Sequence, residues 1–263
     1  MFSWQHIVWI LISAVMVAAI LFFYEKKKPP LQKVFTSAVI LSVAAELCKI
    51  ATTITLVSTA ESGALAPYLE LGRLPLHLCY IQLFLIAYVR FTKRKDRREY
   101  VLAFIYPTGI AGGIGAILVP NVFQQISPAE AFSSPLPYWF FPFHAMLIAL
   151  GVIIVRSGEI AWKRKHFAIT LLLLSGMAFA TLYLNSLFSS PTYRDGKLIS
   201  VDYTANFFYT YQNPLGIPFT AIWQWYLYLL GFAAFGTGLL FLFFYPLAFK
   251  KRRGVKKDSN HAE

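Results

Sequence analysis

Seven long apolar runs constrain this chain more than any other feature. They lie at about 4–24, 34–58, 74–91, 100–119, 137–155, 167–188 and 218–247. Each is near or above the roughly 20 residues a helix needs to cross a bilayer. Hydrophobic residues fill 57% of the 263 positions and charged residues 14%, against roughly 25% charge in an ordinary soluble domain. One soluble core of this size cannot hide so much apolar surface. The expected fold is therefore an all-α integral membrane protein, a seven-transmembrane-helix bundle, with residues 1–263 forming a single polytopic domain. That excludes a soluble globular enzyme, a disordered chain and a disulfide-stapled secreted domain. The only two cysteines, Cys48 and Cys79, both fall inside apolar runs, which leaves no CxxC metal site and no disulfide framework.

The distribution of Lys and Arg sets the expected orientation. The 1–2 linker carries Lys26, Lys27, Lys28 and Lys33, and the 3–4 linker carries Arg90, Lys93, Arg94, Lys95, Arg97 and Arg98. The 5–6 linker adds Arg156, Lys163, Arg164 and Lys165, and the tail adds Lys250, Lys251, Arg252, Arg253, Lys256 and Lys257. The opposite side holds only Arg73, Arg194 and Lys197, and Lys49 alone lies within a span. The positive-inside rule then places the N-terminus outside and the C-terminus in the cytoplasm. The net charge of +12 reads as topology and as contact with anionic headgroups at the cytoplasmic face, not as nucleic-acid binding. Trp4, Trp9, Trp139, Trp223 and Trp225 fall towards the outer side, as interfacial aromatics do. The first run has no basic start and no small-residue cleavage site before Glu25–Lys28, so it reads as a mature helix rather than a signal peptide. Gly109 and Gly113 form a GxxxG, which marks close helix packing.

Polar groups inside spans are costly and point to function. Counting about 1.5 Å per residue from the outer side, His6, His77, Cys79 and His144 fall near the outer face. Asn185 and Gln224 join them from spans 6 and 7. Gln82 shares the helix face of Cys79, and Asn206 lies in the long 6–7 loop. A shared cavity among these residues is expected; the alternative is a set of separate, wet interfacial groups. His77 and Cys79 are ~200° apart on a helix, whereas Arg73 and His77, at i and i+4, share a face. His166 and His261 read as solvated at the cytoplasmic edge and in the tail, and Cys48 reads as packing.

A Cys near a His is the pattern for nucleophilic acyl chemistry, because the thiol needs a base to attack. Cys79 reads either as that nucleophile, with His144 as base, or as packing. The three outer histidines offer imidazole to a metal, but no HxxxH or HExxH spacing supports one, and neither metal nor cofactor is expected. Glu46 and Lys49, at i and i+3 in span 2, suit a structural ion pair that reduces the cost of burial. The other role for that pair is an ion relay in a transporter.

FSWQH (2–6), LPLHLCYIQLFL (74–85), FHAMLIAL (143–150), LYLN (182–185), NFFYTYQNP (206–214) and WQWYLYLL (223–230) occur in an order that resembles the bacterial YwaF-type integral membrane proteins. The resemblance runs over nearly the whole chain, with LPLHLC its most specific piece. It departs at 206–214, where a form closer to NYMFLCRKP is the family pattern. The YwaF-type proteins look like distant relatives of animal membrane lipid enzymes. Among these are androgen-regulated hydrolases of fatty-acid esters of hydroxy fatty acids, with a Thr and a His, and an acyltransferase acting on ether phospholipids, with a Cys. The resemblance implies His144 as the catalytic His and Cys79 as the nucleophile position, with no Thr at 79. The expected function is an intramembrane lipid acyl-ester hydrolase or acyltransferase. His6, His77, Gln82, Asn185, Asn206 and Gln224 would bind or orient, with Asn185, Asn206 or Gln224 meeting the oxyanion or headgroup. The alternative is a non-catalytic lipid or small-molecule binder or transporter. The expected partners are membrane lipids, and the expected location is a bacterial plasma membrane.

Overall fold

The computed structural model describes residues 3–58, 64–124, 126–214 and 216–249, so His261 and the basic tail from Lys250 lie outside the described residues. Seven α-helices follow the apolar runs: α1 (Trp4–Lys27), α2 (Leu31–Thr53), α3 (Leu78–Phe91), α4 (Lys95–Leu118), α5 (Leu136–Arg156), α6 (Arg164–Leu187) and α7 (Ile222–Phe244). Six of them are long and apolar enough to cross a membrane. The protein is a mostly helical membrane protein, and its apolar exteriors show why. Ile7, Leu11, Val15 and Phe22 on α1 are exposed, as are Leu172, Phe179 and Tyr183 on α6 and Leu227, Leu230 and Phe235 on α7. Faces of that extent are stable in lipid and not in water.

The core lies on α4 and α5, which carry most of the buried side chains. Against this pair pack α1 and α2 on α5, α3 on α4 and α2, and α6 on α4, with α7 beyond α6. Glycines let the central pair approach closely. A β-carbon at Gly113 would lie 2.9 Å from the His144 carbonyl oxygen and 2.7 Å from Ile148 Cγ1. One at Gly109 would lie 3.1 Å from the Leu147 oxygen, and one at Gly151 would lie 2.8 Å from the Tyr106 oxygen. The GxxxG thus works as a packing seam, with Gly151 completing it from the facing helix.

The ends of two runs depart from expectation. The second run was expected to stay helical to 58, but α2 stops at Thr53 and Thr55–Ser58 forms strand β1, paired antiparallel with β2 (Leu65–Tyr68). The cause is the β-branched series Thr52, Thr53, Ile54, Thr55 and Val57, which suits a strand better than a helix. The Thr52 and Thr53 hydroxyls bond back to the Cys48 and Lys49 carbonyls and close the helix. The third run was expected to be helical from 74, but α3 begins at Leu78, with His77 as its extended N-cap. Pro75 restricts the residue before it to extended backbone, and Leu74 obeys with φ −56° and ψ 146°. Arg73 ends a separate 3-10 turn, Leu71–Arg73, so Arg73 and His77 do not share a helix face. The fold is therefore not purely helical, and a second hairpin, β3 (Ser189–Arg194) with β4 (Lys197–Tyr203), follows α6.

With 14 residues, α3 is about 21 Å long at 1.5 Å per residue, short of the ~30 Å apolar thickness. The 6–7 loop fills the space above it. Ala205, Phe207 and Phe208 are buried against Leu74, Leu76, Leu78 and Ile81 on one side and Leu174, Met177 and Leu184 of α6 on the other. The upper end of the bundle is the end where α1, α3, α5 and α7 begin.

Replacing Gly113 with Val should lower the midpoint of thermal or SDS-induced unfolding, by about 1–3 kcal/mol of overpacking. Gly115→Ala, with nothing within 4 Å of its β-carbon position, should leave the midpoint unchanged or raised.

Candidate functional site

A polar layer forms at the upper end, assembled from four helices and the 6–7 loop. Lys49, in the last turns of α2, is buried and reaches three partners. Its Nζ pairs with Glu46 Oε1 at 2.7 Å, donates to the Arg73 carbonyl at 2.9 Å, and lies 3.9 Å from the centre of the Tyr80 ring. The i,i+3 spacing on one helix brings the two charges together without distortion. Glu46 Oε2 is buried without a hydrogen-bond partner. Beside the pair lies a cavity of about 30 Å³ lined by Lys49, Gly72, Arg73, His77, Tyr80, Val122 and Trp139. Trp139 Nε1 is a buried donor without a partner.

Below this cavity, α3 and α5 both pack on α4, Cys79 against Gly112 and His144 against Gly113. The Cys79 Sγ lies 3.9 Å from the β-carbon position of Gly112, and the His144 backbone presses on Gly113. A β-carbon at Gly113 would force the helices apart, whereas one at Gly112 would meet the Cys79 sulfur at ordinary contact distance. The His144 ring is buried between Phe140 and Phe143, with Nδ1 2.7 Å from the Phe140 carbonyl oxygen. A carbonyl can only accept, so Nδ1 carries the proton and Nε2 holds the lone pair. Gln82, one turn beyond Cys79, donates through Nε2 to Thr108 Oγ1 at 2.8 Å, and its Oε1 is buried without a partner. Thr108 in turn donates to the Phe104 carbonyl.

His77 caps α3 and sets its ring against Phe207 (centroids 5.0 Å apart) and Tyr209 (6.3 Å). Burial, with Cys79 adding to it, raises the Tyr209 phenol above its usual value. Phe208 and Tyr209 both have positive φ, 56° and 55°, an uncommon and strained conformation for aromatic residues. The surrounding bonds hold it. Asn185 donates to the Phe207 carbonyl and to Thr210 Oγ1 and accepts from the Phe207 amide. Tyr228 donates to the Tyr209 carbonyl, Trp225 to the Thr210 carbonyl, and Tyr211 to the Leu182 carbonyl.

The expected residues therefore separate into groups. His77, Lys49 and Tyr80 line the cavity, and Cys79, Gln82 and His144 lie on the adjoining faces of α3 and α5. His6 instead donates from Nε2 to the Ile117 carbonyl at 2.9 Å and packs against Phe123 and Phe141, away from the cavity lining. Asn185, Asn206 and Gln224 use their amides on backbone groups and on the Thr210 and Thr220 hydroxyls. Asn206 closes the turn onto Tyr211 and Gln212, and Gln224 caps α7 at Thr220 and Ala221. Two other readings need correction. His166 is buried, not solvated: its Nδ1 accepts from the Lys163 amide, and its Nε2 lies 3.5 Å from Glu99. Cys48 is exposed on the outside of α2 rather than packed. Among the described residues, no three His, Cys, Asp or Glu side chains gather as a metal site. Trp139 and Tyr80 were missed as lining residues; in the sequence Trp139 reads as an interfacial aromatic, and nothing in the spacing of α3 ties Tyr80 to the ion pair on α2.

A buried pair should be sensitive to losing one partner. Lys49→Met should destabilise the protein by about 3–5 kcal/mol, because Glu46 would be left charged and alone. Glu46→Gln combined with Lys49→Met should recover much of that loss in the same unfolding measurement.

A family model described as the TMEM164 family matches residues 1–245. No curated protein and no solved structure matches the chain.

Proposed function

This chain belongs to the TMEM164 family, and from that premise we propose that it is a membrane enzyme acting on lipid acyl esters, as a hydrolase or an acyltransferase. In this reading all seven helices span, the N-terminus is outside, and the site lies in the outer half of the membrane. The extended residues 74–77 complete the crossing that α3 begins, sheltered by the 206–212 turn, since non-helical backbone at membrane depth has to be covered by protein. The YwaF-type resemblance adds a bacterial plasma membrane as the location.

The observation that carries the reading is the fixed tautomer of His144, with its Nδ1 proton held by the Phe140 carbonyl and Cys79 packed beside the neighbouring residue of the same stretch of α4. The lone pair at Nε2 takes the Cys79 thiol proton as sulfur attacks the ester carbonyl. The tetrahedral intermediate collapses to an acyl-cysteine, and the departing alkoxide takes the proton back from His144. Water, or the hydroxyl of an acceptor lipid, then attacks the thioester with His144 again as base, which restores the free thiol. Hydrolysis and acyl transfer differ only in that second nucleophile. Trp139 Nε1 and His77 supply the donors for the carbonyl or headgroup oxygen, the role that Asn185, Asn206 and Gln224 give up by bonding to backbone.

One observation favours a second reading. The buried Glu46–Lys49 pair lines or adjoins the cavity, and an intramembrane ion pair suits a binder or transporter as well as an enzyme. In that case Cys79 is lining.

The wild type in detergent should be labelled by an acyl electrophile probe and protected by a lipid ester. Cys79→Ala should abolish labelling, and His144→Ala should slow it by about 10²–10⁴-fold, the usual contribution of a general base. Folded variants that label at the wild-type rate would end the mechanism, and an unlabelled wild type would favour the binder.

A further inference from the structure

The β3–β4 hairpin has a face that the bundle does not use. Its turn, Asp195–Gly196, has both residues at positive φ (51° and 72°), the geometry of a two-residue hairpin turn that matches strand twist. Residues opposite one another across an antiparallel pair share a face. The register pairs Ser189 with Tyr203, Pro191 with Val201 and Tyr193 with Leu198. The intervening pairs, Ser190 with Asp202, Thr192 with Ser200 and Arg194 with Lys197, face the other way. One side is thus apolar but for Ser189 at its base, and the paired residues of the other side are all polar.

A bulge produces this segregation. The pairing shifts by one residue between Thr192 and Tyr193, leaving Ile199 as the extra residue in β4. In an unbroken register Leu198 would stand opposite Arg194 on the polar side. The bulge moves it opposite Tyr193 and re-aims it to the apolar side. The resulting face is open: Tyr193 is 62% exposed, Leu198 56% and Tyr203 41%.

The height of the hairpin is fixed by its base. Ser189 Oγ donates to the Ser186 carbonyl at 2.7 Å, Thr204 Oγ1 donates to the Phe188 carbonyl, and Tyr203 sets its ring edge against Tyr211. Only Phe188 separates β3 from the end of α6. The last turns of that helix expose Phe179, Tyr183 and Leu187, the surface that lipid covers. The hairpin therefore begins one residue beyond the helix that carries this surface.

We propose that this face lies on the bilayer surface at the end of α6. Tyr193 and Leu198 enter the boundary between headgroups and acyl chains, and Arg194 and Lys197 at the tip meet lipid phosphates. Tyrosine suits that depth because its ring is apolar and its hydroxyl wet. An apolar side with cations beside it is the pattern of an interfacial, non-spanning element. The inference rests on the membrane reading of the helices and is independent of any acyl chemistry.

The test is nitroxide scanning in nanodiscs of phosphatidylcholine and phosphatidylglycerol. Single labels are placed by Tyr193→Cys, Leu198→Cys, Thr192→Cys and Ser200→Cys in a Cys48→Ser, Cys79→Ala background. A Cys79→Ser background serves if the alanine fails to fold. Labels at 193 and 198 should collide more with lipid-soluble oxygen than with a water-soluble nickel chelate, and labels at 192 and 200 the reverse. Arg194→Glu with Lys197→Glu should shift the 198 label towards the chelate. Equal access of the chelate to both faces would overturn the proposal, because the hairpin would then stand in water. Shielding of 193 and 198 from both reagents would also overturn it, because protein would then cover the face.

Discussion

The close contact of α4 with α5 is the interaction on which the rest of this structure depends. Carbonyl oxygens of each helix lie where β-carbons of the other would stand at Gly109, Gly113 and Gly151. In a bilayer there is little hydrophobic drive between apolar helices, so such contacts gain mainly from dispersion and close backbone approach. The same seam positions the groups of the proposed reaction. His144 rides on the turn of α5 that presses against Gly113, and the Cys79 sulfur lies in contact range of the neighbouring Gly112. A larger residue at either position would displace a proposed reacting group before it unfolded the bundle.

The short α3 creates the second constraint. Four non-helical residues with Pro75 among them precede it, and their backbone groups need cover. The 206–212 turn supplies it with Phe207 and Phe208, at the cost of two left-handed aromatic residues. The bonds from Asn185, Trp225 and Tyr228 to this turn, and from Tyr211 within it to the Leu182 carbonyl of α6, are what hold it. Local strain held by a dense set of outside contacts is common near functional sites. Here the strained turn also forms the wall against which His77 packs, so the loop is part of the site and not a simple connector.

Much of the bundle was legible in the sequence, because hydropathy alone locates helices that lipid has to surround. The Glu46–Lys49 pair was legible too, since i,i+3 spacing on one helix leaves little doubt that the groups meet. The strand at Thr55–Ser58 was not, because a β-branched run is apolar enough to read as more of the same span. The capping role of His77 was hidden by a run whose hydropathy continues upstream of the helix itself. Asn185, Asn206 and Gln224 had the right depth for a cavity, but depth says nothing about which way an amide turns. Asn185 and Asn206 turn to a folded-back loop whose return no periodicity encodes, and Gln224 turns to the residues just before its own helix. The burial of His166 was hidden for a similar reason: Glu99 and the Tyr100 ring come from the 3–4 linker region and the start of α4, far along the chain.

The ion pair beside the cavity separates structural from functional explanations of the polar layer. Lys49 binds Glu46, a carbonyl and the face of Tyr80, which satisfies its charge without any ligand. Glu46 Oε2 and Trp139 Nε1 are not satisfied in the same way, and buried polar atoms without partners are rare and costly. If the layer existed only to hold α2 against α3, an apolar pair of similar volume would serve as well or better. A lysine held rigidly at the edge of a cavity that Trp139 of α5 also lines has a use in the proposed reaction that an apolar pair lacks: it would set the electrostatic potential of the space in which a carbonyl or headgroup oxygen comes to rest.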